Sequence, residues 1–119
     1  MARILLAEDD ASLRGFLTRA LERAGHEVVD CENGDDAIDA LDAGPYDLLL
    51  TDIVMPGADG IEVARVAAAR QPGLRIMFIT GFAAVALSAA QASPQAKVLS
   101  KPVHLRDLVT EVEKMVAAA

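Results

Sequence analysis

The feature that most narrows the possible folds is an alternation. Five short runs rich in leucine and β-branched residues are separated by longer stretches with helical spacing. Arg3–Ala7, Glu27–Cys31, Leu48–Asp52, Arg75–Thr80 and Lys97–Ser100 read as five buried strands. After the first, Leu13, Phe16, Leu17, Ala20, Leu21 and Ala24 recur with the helical period, and Gly25 ends that helix. Ala37, Ile38 and Leu41 mark a second, shorter helix closed by Gly44-Pro45, and Ile61, Ala64 and Ala68 a third closed by Pro72-Gly73. The segment Ala83–Ala92 has helix propensity but little contrast between its faces. Leu105, Leu108, Val109, Val112, Met115 and Val116 form the clearest stripe.

Five strand–helix units in this order predict an α/β fold in which helices cover both faces of a parallel sheet. Right-handed crossovers and small size favour the flavodoxin-like (βα)5 doubly wound sheet with strand order 2-1-3-4-5. The 119 residues suffice for one domain, 1–119, with no repeat or linker. A chain that is 53% hydrophobic and 24% charged is too apolar for disorder. Its net charge of −7 argues against a nucleic-acid or anionic-membrane surface, since both need a positive field. A single cysteine, Cys31, excludes an internal disulfide and reads as a small apolar residue. Glu8, Asp9 and Asp10 arrive too early for a signal peptide, and the longest apolar run, Gly81 to Leu87, is too short to span a bilayer, so a cytoplasmic location is expected.

In such a sheet, ligands bind beyond the carboxyl ends of the strands. The first strand runs into Glu8-Asp9-Asp10, the third ends in Asp52, the fourth in Thr80, and the fifth is followed by Lys101-Pro102. Carboxylates crowded in one place repel, and a hard cation relieves them. Oxygen donors without His or Cys suit Mg²⁺. Asp9 and Asp52 are the candidate direct ligands, Glu8 reaches through a water, and the main-chain carbonyl of Val54 supplies a third protein oxygen. A phosphoryl group could then approach, with Asp52 as nucleophile forming an acyl phosphate. Lys101 would pair with the phosphoryl oxygens and Thr80 would donate to one of them. The blander reading makes each residue a cap or a turn, and Asp10 or Ser12 does suit a helix cap. Joint placement at four strand ends favours the chemical reading.

The pieces Glu8-Asp9-Asp10, Thr51-Asp52-Ile53-Val54-Met55-Pro56 with Asp59-Gly60, Thr80-Gly81 and Ser100-Lys101-Pro102 resemble the response-regulator receiver domains of the CheY type. The resemblance spans the chain. It implies that Asp52 accepts a phosphoryl group from a histidine kinase or histidine phosphotransfer protein, that Glu8 and Asp9 hold Mg²⁺, and that Thr80 and Lys101 sense and bridge the phosphoryl group. Nothing follows the fifth helix, so output through the domain's own surface is expected, from a monomer or weak dimer. Met1 to Asp10, Ile79 to Leu87 and Lys97 to Met115 are similar to single-domain receivers of alphaproteobacterial cell-cycle control. That likeness implies a phosphorylation-switched adaptor of ClpX and the ClpXP protease, active when unphosphorylated, rather than an enzyme. A relay intermediate, or a regulator binding a motor or kinase, is the alternative.

Several positions depart from the family pattern. Val98 stands where many receivers carry the Tyr or Phe that turns inward on activation, and Val103 follows Lys101-Pro102 where Phe is common, so switching without an aromatic rotamer change is expected. Val54 and Phe82, two residues after Asp52 and Thr80, cannot hydrogen-bond an attacking water, and slow self-dephosphorylation is expected. Gly81 fits open access beside Thr80. Phe82–Ala92 is a candidate partner surface with the fifth strand and helix. His26 and His104 are expected in solvent-facing loops, and Ala117-Ala118-Ala119 reads as a frayed end or a degradation signal. A nucleotide- or flavin-binding module would need a Gly/Ser/Thr-rich phosphate loop where Glu8-Asp9-Asp10 stands. An aspartyl-phosphate hydrolase would need a carboxylate at Val54.

Overall fold

The computed structural model describes residues 1–117 and places five parallel strands in one sheet, ordered β2-β1-β3-β4-β5. The elements are β1 (Arg3–Ala7), α1 (Ala11–Arg23), β2 (Glu27–Cys31), α2 (Gly34–Ala40), β3 (Leu48–Asp52), α3 (Gly60–Arg70), β4 (Arg75–Thr80), α4 (Ala83–Ala92), β5 (Lys97–Ser100) and α5 (Leu105–Ala117), with a 3₁₀ turn at Leu41–Ala43. All five strands have the predicted bounds, and the fold is the flavodoxin-like doubly wound sheet expected. Ala118 and Ala119, part of the suggested degradation signal, lie outside the described residues.

Two apolar layers follow from the period-2 alternation of a sheet covered on both faces. Leu5, Leu49, Phe78 and Ala7 point towards α2, α3 and α4, where they meet Ala37, Val63, Ala64, Ala67 and Ala89. Ile4, Leu6, Leu48, Leu50, Met77 and Ile79 point the other way, onto Leu17 and Leu21 of α1 and Leu108 and Val112 of α5. The edge strands are the exception to the expected burial: β2 and β5 each leave residues exposed, since each has a neighbour on one side only.

Two details of the predicted helices and one of a predicted loop are corrected. In α1 only Leu17 and Leu21 are buried, while Phe16 is 49% exposed and Ala24 lies at the surface beyond the helix end. In α3 the buried stripe is Val63, Ala64 and Ala67, not Ile61, Ala64 and Ala68; Ala68 faces solvent. His26 does not lie in a solvent-facing loop: it is buried at the foot of the sheet. Its Nδ1 accepts the Ala2 N–H at 3.0 Å, and its Nε2 lies 2.7 Å from Glu113 Oε1, so the ring ties α5 to the start of β1. His104 is exposed as expected.

Other loops at this same amino-terminal end of the strands are also held by side chains. Gln71 donates to the carbonyls of Leu41 and Gly44, both at 3.0 Å, and accepts from Tyr46 N–H at 2.8 Å, clamping the turn before β3. Asp10, Asn33 and Asp59 cap α1, α2 and α3 by accepting main-chain N–H bonds. The cap of α1 is thus Asp10.

Candidate phosphoryl-acceptor site

Strand order explains why the acids converge. β1 and β3 are adjacent but their connections leave in opposite directions, which opens a crevice at their carboxyl ends. The register sets Ala7 opposite Thr51, Asp52 opposite Ile79, and Thr80 opposite Ser100. Residues one step further along, Glu8 and Lys101, therefore reach the same crevice as Asp52 and Thr80.

Carboxylate oxygens of Glu8, Asp9 and Asp52 all lie within 4.8 Å of one another. Glu8 is 1% exposed and Asp52 is 7% exposed, whereas Asp9 faces solvent. Asp52 is held by both oxygens: Oδ1 accepts the Ile53 N–H at 2.7 Å, and Oδ2 accepts from Lys101 Nζ at 2.8 Å. Lys101 Nζ also lies 3.3 Å from Glu8 Oε1. Glu8 Oε2 accepts the Asp10 N–H at 3.0 Å. Thr80 is buried, and its hydroxyl accepts the Phe82 N–H at 3.2 Å.

Burial pushes the Glu8 carboxyl up to about 7, aided by the charge of Asp52 and a hydrogen bond with Asp9, against the pull of Asp10 N–H and Lys101. Burial alone would lower Lys101, but the hydrogen bond and charge of Asp52, with those of Glu8, raise it, so its ammonium persists. A carboxyl this reluctant to ionise, beside two more acids and no His or Cys ligand, is the donor set a hard divalent cation would satisfy. The residues present fit Mg²⁺.

The Glu8 shift has a measurable consequence. Between 4.5 and about 7 the folded state binds a proton at Glu8 that the unfolded chain has released, so stability falls as pH rises through this window. Urea unfolding in EDTA should show that decline in the wild type, and Glu8→Gln should flatten it. Parallel pH profiles for the two proteins would refute the assignment.

The remaining predicted positions surround this core. Val54 is 51% exposed and Phe82 61% exposed, so both flank the mouth as apolar surface. A Cβ on Gly81 would meet only the Lys101 stem at 4.0 Å, so packing within the chain does not require glycine there. Val98 is half-buried in β5 against the α2–α4 layer, opposite Phe78. Buried Cys31 has its thiol pushed up to about 11, chiefly by burial, which leaves it an unreactive apolar residue.

Two features went unread in the sequence. One is an apolar recess of about 480 Å³ beside Lys101, lined by Leu13, Leu17, Ile79, Pro102 and Val103. The other is Arg14, whose Nη1 donates at 2.9 Å to the main-chain carbonyl of Glu8. Its signal was available: a cation early in a helix opposes the helix dipole and so needs a tertiary reason.

Comparison with known proteins agrees with this geometry. The family model of the response regulator receiver domain matches residues 4–113. The response regulator receiver protein CpdR of Brucella abortus is 61% identical, with all of both chains covered. A crystal structure of a response regulator receiver protein from Sinorhizobium medicae superposes with a TM-score of 0.89 at 36% identity, covering 98% of this chain and 94% of that one. The response regulator TrrA of Thermotoga maritima, crystallised in complex with Mg²⁺-BeF, gives a TM-score of 0.86 at 29% identity over 97% of this chain and 99% of that one. With its acid cluster, lysine and threonine at the strand ends that the fold dictates, the chain belongs to the response regulator receiver family of two-component systems.

Proposed function

We propose that this chain accepts a phosphoryl group on Asp52 from a histidine kinase or histidine phosphotransfer protein, in the cytoplasm, with Mg²⁺ held by Glu8, Asp9, Asp52 and the Val54 main-chain oxygen. The observation that carries this is the Asp52 carboxylate, 7% exposed at the end of β3 with Lys101 Nζ 2.8 Å from its Oδ2. A carboxylate oxygen of Asp52 bonds to phosphorus as the donor's phosphorus–nitrogen bond breaks. Lys101 pairs with the phosphoryl oxygens, and the Thr80 hydroxyl donates to one of them. The chemistry Mg²⁺ supplies when bound is neutralisation of the carboxylates, which otherwise repel the incoming group. This is group acceptance rather than enzymatic turnover.

We further propose that the unphosphorylated form is an adaptor of the ClpXP protease, as the likeness to single-domain cell-cycle receivers implies. Its output must then be read from surface. No charged residue occurs between Arg75 and Lys97, and α4 exposes Ala84, Leu87 and Ala90 beside Phe82. Affinity capture with Asp52→Ala, compared with wild type kept phosphorylated, separates the readings. Enrichment of ClpX by Asp52→Ala is the expected result; enrichment of a histidine phosphotransfer protein alone would make the chain a relay intermediate.

The exposed apolar flank of Val54 and Phe82 offers no hydrogen bond to an attacking water. The phosphorylated state should therefore be long-lived, and Val54→Asn with Phe82→Glu should hasten its decay about tenfold by positioning that water. Following phosphoprotein loss after donor removal checks this; unchanged decay would sink the idea.

A further inference from the structure

Arg14 is the fourth residue of α1, whose N-cap is Asp10 and whose first turn holds no acid. A cation so near a helix N-terminus works against the helix dipole, and an arginine with no other role would extend into solvent. This one is 18% exposed and folds back over the end of β1. Its Nη1 donates at 2.9 Å to the carbonyl of Glu8, and its Nε lies 3.4 Å from Asp30 Oδ2 on the edge strand β2. The guanidinium thus spans from the sheet edge to the β1–α1 connection.

The carbonyl it grips belongs to the peptide that joins Glu8 to Asp9, the two acids this connection contributes to the cluster with Asp52. The N–H of Glu8 is held by the Cys31 carbonyl at 3.1 Å. Residue 8 is therefore pinned at its N–H by β2 and at its C=O by Arg14, so the peptide leading to Asp9 has a fixed orientation. Asp9 is exposed and sits where the strand has ended, so this orientation decides where its carboxylate points. The bond goes to the main chain and not to a carboxylate of the cluster.

The geometry points to Arg14 as a positioning residue that fixes the Glu8–Asp9 peptide so that both carboxylates present oxygens to one cation. The inference rests on reading the cluster as a Mg²⁺ site. Partners that orient metal ligands without touching the metal change affinity about tenfold or more when removed.

Mg²⁺ titration calorimetry on wild type, Arg14→Met, Arg14→Lys and Asp30→Asn tests it, with melting curves of each in EDTA. Arg14→Met keeps the apolar stem and loses the donor, and should weaken Mg²⁺ binding about tenfold. Arg14→Lys retains one donor and should weaken it about threefold. Asp30→Asn keeps the bond to Glu8 and should fall short of the Arg14→Met effect. Wild-type affinity in Arg14→Met, with only its melting temperature lowered, would overturn the inference and make Arg14 a structural brace. If Arg14→Met does not fold, Arg14→Lys decides on the same terms. A wild-type chain that bound no Mg²⁺ would overturn the reading of the cluster and this inference with it.

Discussion

Incubated with Mg²⁺ and acetyl phosphate, the wild-type chain should gain the mass of one phosphoryl group, and Asp52→Ala should gain none. Intact-mass spectrometry reads the result directly. Three carboxylates share the site, and their environments separate them. Glu8 is 1% exposed, so an incoming phosphodonor reaches it least readily of the three. Asp9 faces solvent and, among the described residues, has no lysine or arginine paired with it. Asp52 alone combines access with a lysine 2.8 Å away, aligned by a second bond from the Ile53 N–H. The melting temperature of Asp52→Ala in EDTA checks that loss of the reaction does not come from unfolding. Lys101→Met keeps the nucleophile but removes the cation aimed at the developing charge, and should slow phosphorylation about a hundredfold. Phosphoryl gain by Asp52→Ala at wild-type level would show that another residue is the acceptor.

The parts of the molecule legible from sequence are those set by short-range pattern. All five strands were bounded correctly because each apolar run stops at charged or turn-forming residues, as Leu48–Asp52 does between Asp47 and the Pro56-Gly57 turn. The site followed from the same bounds, since a parallel sheet brings strand ends together whatever the helices do. Features that depend on partners distant in sequence were not legible. His26 is buried because Ala2, 24 residues away, and Glu113, 87 residues away, bond to its two nitrogens. The helix faces were off by a residue or so where apolar side chains outnumber the sites available. Phe16 stays 49% exposed because Leu17 and Leu21 already fill the contact with the sheet. In α3, runs of alanine give no contrast from which to place the stripe.

Gly60→Ala should destabilise the domain by about 3 kcal/mol, at the upper end for overpacking, and should disturb Asp52 as well. A Cβ at Gly60 would stand 2.1 Å from the main-chain oxygen of Asp52 and 2.8 Å from Ile53 Cα. These are backbone atoms at the end of a central strand, so no side-chain rotation relieves the overlap. The N–H of Gly60 already bonds the Ile53 carbonyl at 2.7 Å, which fixes the start of α3 against the loop after Asp52. Relief must come from moving either the helix or the strand end, and the second displaces the Asp52 carboxylate from Lys101. The contrast is Gly15→Ala in α1, where the added carbon meets only the mobile end of Arg19, Nη1 at 3.3 Å. There the helix propensity of alanine should stabilise the fold by about 0.5–1 kcal/mol. Urea unfolding of both variants measures the difference, and acetyl phosphate labelling of Gly60→Ala under folding conditions tests the second part. Equal stability of Gly60→Ala and wild type would mean that α3 does not bear on the Asp52–Ile53 backbone as closely as these distances require.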